Sequence, residues 1–137
     1  MRRFARLRGF VERGRRGWAD HDTWELDRHL AGILKDALPY LAAHADAWPG
    51  YPDVPGEPPT TRDGSRFETL EDWQAWLQDK GEWFAWYWRD NDCTYLYTAP
   101  STAEERAECA RMTSAKAARF RAEVLPDFVR HFGALWD

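Results

Sequence analysis

The chain has little of what usually announces a biochemical activity. Two cysteines, Cys93 and Cys109, stand without motif spacing among 137 residues. So few thiols argue against a zinc or disulfide framework and fit reduced cysteines in a cytoplasm. No apolar run approaches the ~20 residues that cross a bilayer, so no membrane partner is expected. The basic N-terminus lacks a following apolar stretch and does not read as a secretory signal. There is no HExxH, ExxH pair, P-loop, GxSxG or CxxC. The short signatures of metal hydrolysis, nucleotide binding, serine hydrolysis and thiol chemistry are therefore missing.

What is present is tryptophan, charge and proline. Nine Trp, 44% apolar and 31% charged residues describe a globular chain long enough to bury its own core. We expect a single helical domain over 1–137. The charge is uneven. Residues 1–17 carry Arg2, Arg3, Arg6, Arg8, Arg13, Arg15 and Arg16 against Glu12, a net of +6, which leaves −10 for the rest of a chain whose total is −4. Such an arm can touch nucleic acid, fold back on its acidic body, or stay solvated. Arginine without lysine favours forked contacts to carboxylate or phosphate. Nucleic acid is a possible partner of this arm but not the favoured one.

Helical periodicity dominates the remainder. Phe4, Leu7 and Phe10–Val11 suggest a short amphipathic helix at 3–13. "DTWE" at 22–25 reads as a capping box, with Asp22 as N-cap and Glu25 reaching back. Leu26, Leu30, Ile33, Leu34, Ala37, Leu38 and Leu41 follow as one buried stripe. Pro39 should kink that helix or restart it, with an end near Ala47. Residues 48–66 are a Pro/Gly-rich loop. Thr69 caps the next helix, whose core sector holds Leu70, Trp73, Leu77, Phe84 and Trp88. Trp76 and Tyr87 sit on the edge of that sector, Trp83 about a quarter turn away, and Trp86 nearly opposite. Trp86 therefore needs a second neighbour: the Pro-rich loop, or, as favoured here, a second copy or a partner. Gly81 is where this phase would reset if the helix broke. "STAE" at 101–104 caps a long C-terminal helix. Its seam, Ala118, Ala122, Leu125, Val129, Phe132 and Trp136, has bundle spacing, with a kink at Pro126. The expected fold is all-α: a roughly four-helix antiparallel bundle with proline-kinked helices and a long Pro-rich loop.

Several scattered stretches carry a resemblance. They are Trp24, Leu26, Asp27, Leu30 and Ala31; Gly50, Tyr51 and Pro52; Asp72, Trp73, Leu77 and Lys80; and Phe132, Leu135, Trp136 and Asp137. With the Arg-rich start, this pattern resembles a group of small uncharacterised proteins of tailed bacteriophages. The chain departs from it at 82–98, which is richer in aromatics, and in the Pro-rich loop. The resemblance implies phage origin and a helical fold. It supplies no reaction.

The polar cluster Asp20, His21, Asp22, Asp27 and His29 is the main place for acid–base or metal chemistry. Its spacing is poor for both, because His21 and His29 do not share a face. No catalytic residue, metal or cofactor is assigned. Asp27 borders the core stripe and is expected to pair with Arg6, Arg13 or Arg16. His44 and His131 read as ordinary histidines near helix ends. The remaining aromatics, Trp48, Tyr51, Trp83, Trp86, Tyr95 and Tyr97, are the partner-binding candidates, since Trp and Tyr anchor binding hot spots. The expected function is a non-enzymatic interaction protein in a host cytoplasm, with a host or phage protein as partner and a homodimer possible. The alternative is a small-ligand or nucleotide binder or hydrolase built on the Asp/His and aromatic clusters.

Overall fold

Thr69 opens the helix around which the others arrange. Its hydroxyl accepts the Asp72 amide at 3.1 Å and donates to the Asp72 carboxylate at 2.9 Å, which closes the first turn. In the computed structural model, residues 2–16, 19, 22, 25–49, 67–89, 96 and 99–135 are described, with side chains from Arg8 onward except at 134. The chain is all-α, and no strand occurs among the described residues. Helix α1 is Arg2–Arg16, α2 is Leu26–His44 and α3 is Leu70–Arg89. Helix α4, Ala103–Arg119, passes through a π-helical turn, Phe120–Val124, into α5, Leu125–Arg130, and a 3-10 turn, Phe132–Leu135. These last segments form one C-terminal rod. The Pro-rich loop, beyond its foot at Trp48 and Pro49, lies outside the described residues, as does Trp136.

Helices α2 and α3 pack antiparallel, and glycine sets their separation. A Cβ on Gly81 would stand 2.8 Å from both Cδ and Cγ of Pro39. One on Gly32 would stand 2.8 Å from Nε1 of Trp88. Gly81 does not break α3. It lets the Pro39 ring of α2 press against the α3 backbone, and α2 continues through that proline as one helix to His44. Ala31, Leu38 and Ala42 of α2 are buried against Trp73, Leu77 and Phe84 of α3. Gln74 Nε2 donates to the Ala42 carbonyl at 2.9 Å, and Arg28 Nε to the Trp88 carbonyl at 3.0 Å, near opposite ends of the pair.

The other face of α3 receives the C-terminal rod. Phe84 meets Phe120 and Phe128 edge-on at 5.7 and 5.0 Å, Tyr87 stacks on Phe120 at 4.9 Å, and Trp76 stacks on Phe128 at 6.3 Å. Pro126 shapes this rod. It has no amide hydrogen and its ring crowds the preceding turn. The backbone widens just upstream, where the Leu125 amide bonds back to the Phe120 carbonyl.

Several sequence expectations are corrected here. Helix α2 starts at Leu26 with Glu25 rather than Asp22 as N-cap, and with no side-chain cap. The capping box of α4 is Thr102 with Glu105, one residue beyond "STAE": the Glu105 amide meets the Thr102 hydroxyl at 3.1 Å and the Thr102 amide meets the Glu105 carboxylate at 2.8 Å. The α2 stripe splits, because Leu26, Leu30 and Ile33 stay half-exposed while Leu38 is buried. Trp88 is partly exposed rather than in the core, with Lys35 Nζ 4.7 Å above its ring. The C-terminal seam is also displaced. Phe120, Val124 and Phe128 are buried, whereas Val129 and Phe132 are exposed and Leu125 is half-buried. The inward stripe lies one residue off the expected one, hidden because its first half contains Arg106, Cys109 and Thr113. Finally, Cys109 is disulfide-bonded rather than a reduced thiol. Cys93 lies outside the described residues.

Two outcomes test this packing. Gly81→Ala should lower stability by about 1–3 kcal/mol in urea denaturation, as overpacking does, although alanine alone favours a helix by roughly 1 kcal/mol. Gly32→Ala should cost less, because the exposed Trp88 ring can shift. Phe128→Ala should cost roughly 3–5 kcal/mol, and Phe132→Ala less than about 1 kcal/mol, as at exposed positions generally.

Candidate functional site

The basic arm meets the Asp22 carboxylate. Arg13 Nε and Nη2 reach the two Asp22 oxygens at 2.9 and 2.5 Å, and the Ala19 amide donates to Oδ2 at 2.7 Å. His29 Nδ1 stands 3.9 Å away. The Arg13 hydrogen bond, seconded by the Ala19 amide, holds the Asp22 carboxyl well below the usual carboxylate range. The arm therefore folds back, but onto Asp22 rather than Asp27. Arg8 pairs with Glu12 at 2.8 Å and Arg16 with Glu12 at 3.6 Å, while Arg15 is exposed. Arg2, Arg3 and Arg6 belong to α1, but their side chains lie outside the description, as do Asp20 and His21. Among the described residues no three His, Cys, Asp or Glu side chains are grouped to hold a metal.

The aromatic candidates scatter. Trp48 is half-buried, and its Nε1 donates to the Phe67 carbonyl at 3.0 Å. The Phe67 amide bonds to the Pro49 carbonyl at 2.9 Å, so the feet of the Pro-rich loop are clamped together. Trp83 and Trp86 pack on Phe120 at 6.2 Å each, with Lys116 Nζ 5.2 and 4.9 Å over their rings and the Arg119 guanidinium 5.2 Å over Trp83. Trp86 thus rests on the C-terminal rod of its own chain. The second neighbour expected for it is supplied, among the described residues, by that rod, which the sequence reading had not considered. Tyr51, Tyr95 and Tyr97 lie outside the described residues.

Two polar constellations were missed. At one end of the α3–rod interface, the buried Lys80 donates to Asp127 at 3.0 Å and to Asp79 at 3.1 Å. Trp76 Nε1 also donates to Asp127, at 2.8 Å, and His131 Nδ1 lies 3.4 Å from the same carboxylate. Burial raises the Asp127 pKa. The hydrogen bonds from Lys80 and Trp76 and the nearby Lys80 charge outweigh it, so the net direction is down. Lys80 and Trp76 of α3 thus converge on one carboxylate of α5 and act as a clamp between the two helices. His131 belongs to that clamp and not to a helix dipole alone.

At the other end, Tyr87 Oη donates to Asp27 Oδ2 at 2.5 Å. That bond lowers the Asp27 pKa and, with burial, raises that of Tyr87. Asp27 has found a tyrosine rather than the expected arginine. This pair closes one end of an apolar groove of about 890 Å³ between α2 and the C-terminal rod. Leu30, Ala31 and Leu34 form one wall; Leu125, Val129 and Phe132 form the other. Phe84, Phe120 and Phe128 make the floor, and Arg121 faces in beside Tyr87. A second hollow, about 940 Å³, runs along α4 past Trp86, Pro100 and Met112, and is lined on its polar side by Glu104, Glu105, Glu108 and Lys116. The groove combines apolar walls with one acid, one hydroxyl and one guanidinium, the usual composition of a binding site. Nothing in the alternation of leucines along 26–41 marks it, because it exists only between two helices distant in sequence.

No protein-family model matches the chain, and neither a curated protein nor a solved structure does.

The carboxylates give this body an acid limit with a definite sign. Asp22, Asp27 and Asp127 all have folded-state pKa values below their ordinary ones. Their contribution is complete above about pH 4, the ordinary carboxylate range, and is lost as pH falls through the lowered values. The melting temperature should hold between about pH 7 and pH 5 and drop below about pH 4. Asp127→Asn should flatten part of that drop. At neutral pH it should cost about 2 kcal/mol, less than the ~3–5 of a fully buried pair, because the Asp127 side chain keeps 33% exposure.

Proposed function

We propose that this chain is a non-enzymatic interaction protein. It is encoded by a tailed bacteriophage and acts in the host cytoplasm by binding a protein, either a host defence or regulatory component or another phage protein. The observation that carries the binding role is the open groove, whose walls leave Leu30 and Phe132 about half exposed and Val129 more so. Contiguous exposed apolar surface on a folded domain marks a place where something binds. The phage origin rests on the sequence resemblance, and the host target on that origin by analogy. The disulfide at Cys109 pulls the other way on compartment, since such bonds are rare in reducing cytoplasm.

A second reading has one observation in its favour. The groove volume of about 890 Å³ falls within the ~300–1,000 Å³ of small-ligand pockets, and a polar end of Asp27, Tyr87 and Arg121 would orient a ligand. The Asp/His half of that reading loses ground, because Asp22 is engaged by Arg13 and the Ala19 amide.

Capture from host and phage-infected lysates with the tagged full chain separates these readings. Wild type should enrich a protein that Leu30→Glu and Val129→Glu lose by tenfold or more, a change of about 1.4 kcal/mol. A small molecule retained in native mass spectra, with no protein whose capture depends on the groove, would overturn the proposal in favour of the second reading.

A further inference from the structure

The exposed apolar residues form two regular seams. On α2, Leu26, Leu30, Ile33, Ala37 and Tyr40 follow 4-3-4-3 spacing, and all five are exposed. On the C-terminal rod, Ala118, Ala122, Leu125, Val129 and Phe132 follow the same rhythm; four are exposed and Leu125 is half-buried. Tyr40 at 68% and Val129 at 67% are the extremes. A 4-3 repeat is the spacing with which one helix packs along another. Both helices run antiparallel to α3 and hence parallel to each other. They stand as the two walls of the groove, and among the described residues no helix packs along either seam.

We propose that the groove of the free protein is covered by a second copy of this chain, related by a two-fold axis along the groove. This inference rests on the reading of the groove as a protein-binding surface and adds how that surface is kept in the absence of its partner. A two-fold interface requires a face that complements itself. A rotation about the groove axis sets α2 of one copy against the C-terminal rod of the other at the same level, so each seam meets its counterpart. The charges follow the same symmetry. Asp27 lies on the α2 wall and Arg121 on the rod wall, at the same end of the groove. Arg121 has no carboxylate within ion-pair distance among the described residues; its Nε makes only a long 3.4 Å bond to the Ala117 carbonyl. The rotation brings Arg121 of each copy to Asp27 of the other, twice. An isologous dimer thus covers both seams in a parallel four-helix layer and pairs the one acid and one base of the lining. A partner protein must then compete with the second copy for the groove.

Light scattering behind size exclusion, with the full chain over a wide concentration range, tests this. Wild type should give twice 16.1 kDa. Leu30→Glu and Val129→Glu, both at exposed helical positions, should give the monomer mass with unchanged helical circular dichroism. Arg121→Glu should weaken the dimer at least tenfold, and adding Asp27→Lys to it should restore dimerisation. A wild type that stays at 16.1 kDa at every concentration overturns the inference. So does a dimer that survives both glutamate substitutions, or a charge swap that fails to restore association. A monomeric wild type that still captures a protein through the groove sinks the dimer and leaves the interaction role standing. A dimer that captures nothing does the reverse.

Discussion

The contact of the Pro39 ring with the backbone at Gly81 is the constraint to which the rest of this structure answers. A Cβ there would stand 2.8 Å from the ring, so only glycine permits the approach. Glycine in mid-helix costs roughly 1 kcal/mol in propensity. The approach repays this by seating Leu38 and Ala42 against Trp73 and Leu77, all of them buried. Gly32 beneath Trp88 repeats the device nearer the other end of the pair. With two close approaches, α2 and α3 behave as one unit, and the remaining helix must find its place on the other side of α3.

That arrangement explains the crowd of aromatic rings at 82–91. A helix with one neighbour needs one apolar face. Here α3 lies between α2 and the C-terminal rod and needs two. Phe84 and Tyr87 meet Phe120 from one quarter, and Trp83 and Trp86 cover it from another under Lys116 and Arg119. Cations over indole faces let such rings lie near the surface without being bare apolar patches. The polar groups bracket this interface, with Lys80 and Asp127 at one end and Tyr87 and Asp27 at the other. Burying Lys80 is tolerable only because Asp127 and Asp79 accept its hydrogens and Trp76 lies 5.5 Å beneath it.

What the packing leaves open is as specific as what it closes. The two outer helices use their α3-facing residues for the core and keep a second apolar seam each. The groove between them has an aromatic floor taken from α3 and the rod. A chain selected only to fold has no need of Leu30, Val129 and Phe132 in solvent. The proposed interaction role would use that exposure, and the single acid and single guanidinium at one end give the surface an orientation.

Much of the fold was legible from local patterns. The leucine rhythm, the Thr69 cap and the opposed phase of Trp86 are properties of residues close in the chain, and short-range geometry sets them. Periodicity identifies which residues share a helix face. It does not say which of two adjacent stripes points inward, and on α2 and the C-terminal rod the more apolar stripe points out. The inward stripe of α4 carries Arg106, Cys109 and Thr113, which disguises it. Asp27 could be recognised as an acid beside a core stripe, but its partner Tyr87 is sixty residues away. Asp22 read as a helix cap, and the return of α1 brought it Arg13, the arginine expected at Asp27. The sequence by itself determined helices, caps and the aromatic supply, because those depend on neighbours within a turn or two. Tertiary structure alone decided the groove, the Lys80–Asp127 clamp and the disulfide at Cys109, because each joins groups whose separation along the chain carries no local signal.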